Sequence, residues 1–205
     1  MSQIVYRIDR EDRLVHVNEA WTTYANANAD GADVTPTRLL GRRLWESIAD
    51  QTTEEIYRRI VTTVRSGKLV RFHYRCDAPA YRRLFEMRVE LGSSDEVVFT
   101  SSLVDEQQRD TITVLEHGRP RGETMIRICS WCQRLGTADG AWVALEKGLE
   151  TEGLLAAERL PQITHVICKE CSARMHQMLD CVGVAVNPTP VVEMTAGLDE
   201  RSELN

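Results

Sequence analysis

Several features that would place this chain in a common functional class are missing from its sequence. No apolar run approaches the ~18–20 residues that a membrane-spanning helix needs. The first residues, MSQIVYRIDREDR, contain no apolar signal segment. Lys and Arg total 25 against 31 Asp and Glu, a net charge of −6, whereas binding to nucleic acid or an anionic membrane calls for a basic excess. We therefore expect a cytoplasmic protein with neither membrane nor nucleic acid as its partner.

Motifs for catalysis are missing as well. The sequence has no transmitter histidine box, no kinase nucleotide site, no Gly-rich phosphate loop and no nucleotide-cyclase core. No Ser/His/Asp, Cys/His or paired-carboxylate set is arranged by a recognisable motif. At 205 residues, with 42% hydrophobic and 27% charged residues, the chain can build a core without disulfides. We expect a globular protein that is not an enzyme and that acts through a partner.

Cysteine is the most informative residue type that the sequence does contain. Four of the six cysteines form two Cys-x-x-Cys pairs, Cys129 with Cys132 and Cys168 with Cys171. In a reducing cytosol such thiols stay free for metal or redox chemistry. Two pairs supply the four thiolates of a tetrahedral site, which Zn²⁺ accepts without electronic penalty. We predict that the four cysteines bind one structural zinc ion, with a helix in the 35 residues between the pairs.

The second cysteine pair precedes a predicted helix over 172–180, whose buried stripe would be Met175, Met178 and Leu179. Cys171 would open this helix, where free backbone N–H groups and the helix dipole favour a thiolate. A cysteine knuckle combined with a ligand-bearing helix start predicts a small, mainly helical, treble-clef-like zinc domain.

Other uses of the same cysteines compete with zinc. Four cysteines also hold an iron–sulfur cluster, and neighbouring thiols can form a disulfide switch without metal. We expect His165 to support the site rather than to replace a sulfur. A haem would need an inward His or Cys, but the strand patterns place His16 and His73 on polar faces. The redox and haem alternatives stay open at this point.

The N-terminal half alternates strand-like and helix-like patterns. Asn18 is the predicted cap of a first helix, and Thr52 with Glu55 form a predicted capping box for the clearest helix, which ends at Gly67. The order β-β-α-α-α-β-β-β predicts an α+β domain in which a five-stranded antiparallel sheet has helices on one side. The predicted strands span Ile4–Ile8, Leu14–Val17, 70–76, 85–91 and 96–103.

This order, the helix start from Asn18 to Trp21 and the segment Gly41-Arg42-Arg43-Leu44-Trp45 resemble a PAS sensory domain. The segments CSWCQR (129–134), LPQITH (160–165) and CKEC (168–171), with Trp142, are similar to the paired-cysteine module found beside PAS domains in bacterial signalling proteins. The predicted division is a PAS-like domain over 1–107, a linker over 108–127, a four-cysteine zinc-binding domain over 128–184 and a mobile tail over 185–205.

These resemblances imply a signalling or regulatory protein. Its PAS-like domain would bind a small ligand or partner, a helix in the linker would pass the signal on, and the chain would act as a homodimer on a protein partner in a signalling pathway. One alternative is a redox, haem or iron–sulfur sensor that uses the cysteines as its input. Another is a zinc-dependent transcription regulator, against which a net charge of −4 over residues 111–205 weighs.

A cluster of basic residues in the PAS-like half suggests a ligand site. The segment from Arg38 to Arg83 contains eleven basic residues and only five acidic ones. Guanidinium groups bind carboxylate or phosphate groups well. Cys76 lies at one of the alternate, apolar positions of its strand and is therefore expected to face the interior. We therefore hypothesise an anionic ligand or acidic partner at Arg75, Cys76, Arg82 and Arg83, beside the simpler interpretation of a solvated charged face.

Overall fold

The computed structural model describes residues 2–28, 35–154 and 159–184, and statements about structure below refer to those residues. Strands and helices alternate along the described chain. Their bounds are β1 (Ile4–Ile8), β2 (Leu14–Val17), α1 (Glu19–Asn28), α2 (Pro36–Leu39), α3 (Gln51–Arg65), β3 (Val70–Arg75), β4 (Tyr81–Leu91), β5 (Val97–Gln108), β6 (Arg121–Cys129), β7 (Leu135–Gly136), β8 (Trp142–Val143), α4 (Leu145–Thr151), β9 (Leu160–Val166) and α5 (Lys169–Val184).

The first five strands form one antiparallel sheet in the order β2-β1-β5-β4-β3. Helices α1, α2 and α3 lie between β2 and β3 along the chain, and α3 contacts β3, β4 and β5. The predicted α+β architecture with a five-stranded antiparallel sheet is confirmed. The predicted cap of α1 is also present, because the Asn18 side chain accepts hydrogen bonds from the N–H groups of Trp21 (2.8 Å) and Val5 (3.1 Å).

Alternation along the strands builds the core of this sheet. Phe85, Met87 and Val89 of β4 are buried, and the residues between them are only half-buried, as expected when successive side chains point to opposite faces. Helix α3 covers this face with Ile56 and Ile60, both 0% exposed. The helix ends where the sequence predicts, with Gly67 in the left-handed region (φ 86°).

The start of α3 differs from the prediction. Asp50, not Thr52, is the N-cap: its carboxylate accepts hydrogen bonds from the Thr53 N–H at 2.9 Å and the Thr53 hydroxyl at 2.7 Å. Glu55 accepts instead from the Gln51 side chain, on the helix surface. The Asp50 carboxylate reaches the free N–H groups first because it precedes the helix by one residue.

We expect Asp50→Ala to lower the free energy of unfolding by about 1 kcal/mol, since the mutation leaves the Thr53 N–H without its acceptor. Glu55→Ala is the matched control and should change stability by less than about 0.5 kcal/mol. Urea unfolding followed by circular dichroism measures both. A larger loss for Glu55→Ala than for Asp50→Ala would contradict this assignment of the cap.

The C-terminal region is built around a second sheet, in the order β8-β7-β6-β9. Its central pair, β6 with β9, is parallel, and the other pairs are antiparallel. Helix α4 lies between the two cysteine pairs, as predicted. The predicted small, mainly helical domain did not include this sheet: the apolar residues of β6 and β9 lie on strands that pair with each other.

The segment predicted as a linker, 108–127, contains a 3₁₀ turn over Thr113–Leu115 and the first part of β6. The α-helix expected there is therefore wrong. Val114 and Leu115 are buried in a second apolar cluster with Leu135 and Leu149. The Arg121 guanidinium donates to the carbonyl oxygens of Val114 and Glu116 on the turn and of Pro161 on β9. These contacts fold the segment onto the second sheet.

None of the helices in the described ranges is long and apolar enough to cross a membrane. The predicted C-terminal tail, 185–205, lies outside the described residues.

Candidate metal centre

The four paired cysteines meet at one point. The sulfurs of Cys129, Cys132, Cys168 and Cys171 all lie within 4.8 Å of one another, and the Cys132 and Cys168 sulfurs are 3.9 Å apart. A tetrahedron with zinc–sulfur bonds of about 2.3 Å has edges of about 3.8 Å. The sulfurs are therefore spaced as a single tetrahedral ion requires, with only small adjustments.

The first cysteine pair lies in the turn that ends β6. The Cys129 carbonyl oxygen accepts from the Gln133 N–H (3.0 Å), and the Cys129 N–H donates to the Arg134 carbonyl (2.9 Å), which closes a tight turn. Gln133 adopts a left-handed conformation (φ 59°) and donates its buried side-chain amide to the Cys129 carbonyl. The turn brings the side chains of Cys129 and Cys132 to the same side of the backbone.

The second pair lies at the start of α5. The helix begins at Lys169 and not at residue 172, so Cys168 immediately precedes it and Cys171 lies in its first turn. The Cys171 N–H donates to the Cys168 sulfur and the Cys168 N–H donates to the Cys129 sulfur, each at 3.4 Å. N–H donors and the positive end of the helix dipole stabilise thiolates. Met175, Met178 and Leu179 form the predicted buried stripe, at 1%, 3% and 2% exposed.

The thiols affect one another strongly. Hydrogen bonds from the other three cysteines hold the pKa of Cys129 well below its usual value. The pKa of Cys132 is also lowered, because the effects of its hydrogen bonds to Cys168 and Cys171 outweigh the opposite effect of the one to Cys129. Hydrogen bonds to Cys129 and Cys132 raise the pKa of Cys168 and Cys171. The cluster of four thiols therefore ionises only in part, because each added thiolate repels the others. A divalent cation among the sulfurs supplies the charge that all four thiolates need.

The donor set fits zinc in a structural role. Cys129, Cys168 and Cys171 are buried and Cys132 is partly exposed, so the four sulfurs enclose the position between them. Structural zinc sites are closed in this way, whereas catalytic sites keep one coordination position for water or substrate. His165 is exposed on β9 and does not belong to the cluster of metal-ligating groups found among the described residues.

The arginines of the hypothesised anion site are engaged inside the protein. The Asp77 carboxylate, 0% exposed, pairs with Arg75 and with Arg109, the latter at 3.1 Å. Arg82 and Arg109 both pair with Glu146 of α4, at 2.8 Å and 3.1 Å. This charge network joins the end of the first sheet to the C-terminal region. Sequence reasoning missed Arg109 and Glu146, since their distance along the chain from Asp77 and Arg82 hides the pairing.

Cys76 and Arg83 lie together near α1. Arg83 is 8% exposed and donates to the Cys76 carbonyl oxygen (2.9 Å) and the Asn28 side chain (3.2 Å). Its guanidinium also lies over the Tyr24 ring, 5.3 Å from the centroid. Burial raises the pKa of the Cys76 thiol, which makes it a poor nucleophile. The anionic ligand at these residues stays a prediction.

The two histidines considered for haem lie opposite charged residues across the strands. His16 is opposite Arg7 in the register of β2 with β1, and His73 is opposite Glu86 in β3 with β4. His73 lies on the face of the sheet away from Phe72 and Met87, which are opposite each other on the buried face.

A cleft opens between the first sheet and its helices, and sequence reasoning did not identify it as a site from the residues that line it. Its volume is about 220 Å³ and its lining is mainly apolar. Its sequence signals were Trp21 and the Gly41–Trp45 segment, both noted in the PAS resemblance. The lining residues come from separate elements, so no local pattern groups them. The lining residues are Tyr6, Leu14, Trp21, Leu39, Arg42, Arg43, Leu44 and Ser47.

Comparison with known proteins adds a structural neighbour but no family. No protein-family model matches the sequence, and no curated protein matches it. Among solved structures, the chain is similar to a sensory box sensor histidine kinase from Vibrio cholerae, with a TM-score of 0.37 and 13% sequence identity. The match covers 52% of this chain and 85% of that chain. Because this likeness is distant, the functional argument below relies on the site itself.

Proposed function

We propose that this chain is a signal-sensing or regulatory protein in which a PAS-like domain is joined to a structural zinc site. The observation that carries the proposal is the meeting of four cysteine sulfurs within 4.8 Å of one another, beside an antiparallel five-stranded sheet with three helices between its second and third strands. That element order is the one on which the PAS resemblance rests.

Zinc is the metal that best suits the site. Four thiolates prefer zinc or iron–sulfur clusters over harder ions such as Mg²⁺ or Ca²⁺. The 3.9 Å between the Cys132 and Cys168 sulfurs matches the edge of a tetrahedron around one ion. A closed set of four sulfurs leaves no position for a substrate, so the metal would stabilise the fold and would not perform catalysis. We accordingly propose a function without enzymatic activity.

The sensory role is supported by the cleft between sheet and helices. An apolar lining from Tyr6, Leu14 and Trp21, with Arg42 and Arg43 at the same cleft, favours a small, largely apolar ligand. Arg75 and Arg82 already pair with Asp77 and Glu146, which gives less support to the anionic ligand. We further propose that the protein is cytoplasmic, forms a homodimer and passes its signalling state on to a protein partner.

Metal analysis tests this function directly. We expect one zinc ion per chain by mass spectrometry and no visible absorption in protein purified without oxygen, because zinc has a filled d shell and no colour. Iron with visible absorption would overturn the zinc site and establish the redox or haem alternative. Retention on DNA that falls with salt would favour the transcription regulator.

A further inference from the structure

The turn between the first two cysteines reaches into the core of the PAS-like domain. Trp131 is 6% exposed, and its ring centroid lies 5.7 Å from that of Tyr57 on α3 and 5.7 Å from that of Phe72 on β3. The Trp131 carbonyl oxygen accepts a hydrogen bond of 2.8 Å from the Arg75 N–H at the end of β3. Both backbone and side chain of this residue are therefore bound to the N-terminal domain.

The rest of the cysteine site also packs against the PAS-like domain. Cys129, Cys168 and Cys171 belong to one continuous apolar cluster that also contains Ile60 and Phe72 of the PAS-like domain. Helix α5 packs along α3. At their exposed side, Arg59 of α3 pairs with Asp180 of α5 and lies 3.0 Å from the His176 Nδ1 atom. The metal site is thus built against the helix that covers the first sheet.

Hydrogen bonding by the indole N–H does not explain why the Trp131 ring is buried at this position. Its buried indole N–H has no acceptor among the described residues, and an unpaired buried donor costs free energy that water would relieve. Packing against Tyr57 and Phe72 favours the buried position. The covalent position of Trp131, between two sulfurs of one site, fixes the turn that presents the ring.

We propose that Trp131 couples the occupancy of the four-cysteine site to the PAS-like domain. With metal bound, Cys129 and Cys132 hold the turn so that Trp131 stays between α3 and β3. Without it, the turn relaxes, the ring withdraws and the end of β3 loses the hydrogen bond at Arg75. This coupling rests on the proposed zinc site, and it is reciprocal: the state of α3 and β3 must alter metal affinity by the same factor.

Amide hydrogen exchange by NMR on the full chain tests this coupling. The chain is compared as purified and after zinc removal by a chelator, with metal content measured on both samples. We expect the Arg75 amide to exchange at least about tenfold faster after zinc removal, because its acceptor on Trp131 moves away. Amides in the middle of β5 should accelerate by a clearly smaller factor than the Arg75 amide, since their partners are strands of the same sheet.

Two substitutions separate coupling from simple core filling. Trp131→Ala should weaken zinc affinity, measured by competition with a chromogenic chelator, by about tenfold, within the usual range of coupling between sites. It should also leave the Arg75 amide in fast exchange with zinc present. Trp131→Phe keeps an aromatic ring between Tyr57 and Phe72 and removes the unpaired N–H, so it should behave like the wild type.

Three results would overturn the coupling. They are unchanged exchange at Arg75 after verified zinc removal, an equal rise throughout β1 to β5, and unaltered zinc affinity in Trp131→Ala. The first two use the unmodified chain and stand even if Trp131→Ala does not fold. A purified chain without zinc would overturn the proposed function together with the coupling, and metal analysis detects that case before any exchange experiment.

Discussion

Replacing Cys171 with serine should abolish stoichiometric zinc binding and lower the free energy of unfolding by at least about 4 kcal/mol. Cys171 is 6% exposed and lies in the first turn of α5, where its sulfur joins the other three. The binding of zinc to a structural site contributes on the order of 10 kcal/mol or more to the free energy of folding. A hydroxyl is a poor replacement for a thiolate at such a site, because soft sulfur ligands select zinc.

The matched control for this variant is Cys181→Ser. Cys181 is exposed on the same helix, near its C-terminal end, and takes no part in the cluster. It should keep one zinc per chain and unfold with the wild-type midpoint. Mass spectrometry and thermal unfolding measure both variants. Retention of zinc and stability by Cys171→Ser would show that the four cysteines do not form a metal site.

Replacing Asp77 with alanine should destabilise the protein by about 3–5 kcal/mol, the range for breaking a buried charge pair by removing one partner. The Asp77 side chain is 0% exposed and pairs with Arg75 and Arg109, whose side chains are 20% and 9% exposed. It also accepts a hydrogen bond from the Arg83 N–H. Without the carboxylate, Arg75 and Arg109 keep their charges where water reaches them poorly.

Glu90→Ala is the matched control for Asp77→Ala. Glu90 pairs with Arg88, also two residues away, but the two side chains are 36% and 42% exposed. Exposed pairs contribute at most about 1 kcal/mol. Urea unfolding of both variants gives the comparison. Equal losses would mean that burial does not determine the contribution of the Asp77 pair.

The sequence predicted the first sheet well because its signals are local. Alternation of apolar residues gave β1 and β2 with the bounds that the structure has, and Asn18 caps its helix as expected. The prediction was weaker where two local signals competed. Asp50 and Thr52 are both good caps, and only the start of α3 at Gln51 decides for Asp50.

The C-terminal sheet was missed because its pattern is not local. β6 and β9 are parallel and are separated along the chain by β7, β8 and α4, and the two-residue strands β7 and β8 are too short for any alternation. The four cysteines could be grouped in advance, since their spacing indicates their chemistry. The packing of the cysteine site against α3 could not be predicted, because a pattern of apolar residues along the chain does not indicate which distant surface Trp131 contacts.

X-ray absorption at the zinc edge of the purified full chain is the most direct test of the central claim, that these four cysteines hold one zinc ion. The account predicts a single shell of four sulfur atoms at about 2.3 Å. That shell should be lost in Cys171→Ser and kept in Cys181→Ser. Oxygen or nitrogen ligands in place of sulfur, or an iron edge with iron neighbours, would contradict the account.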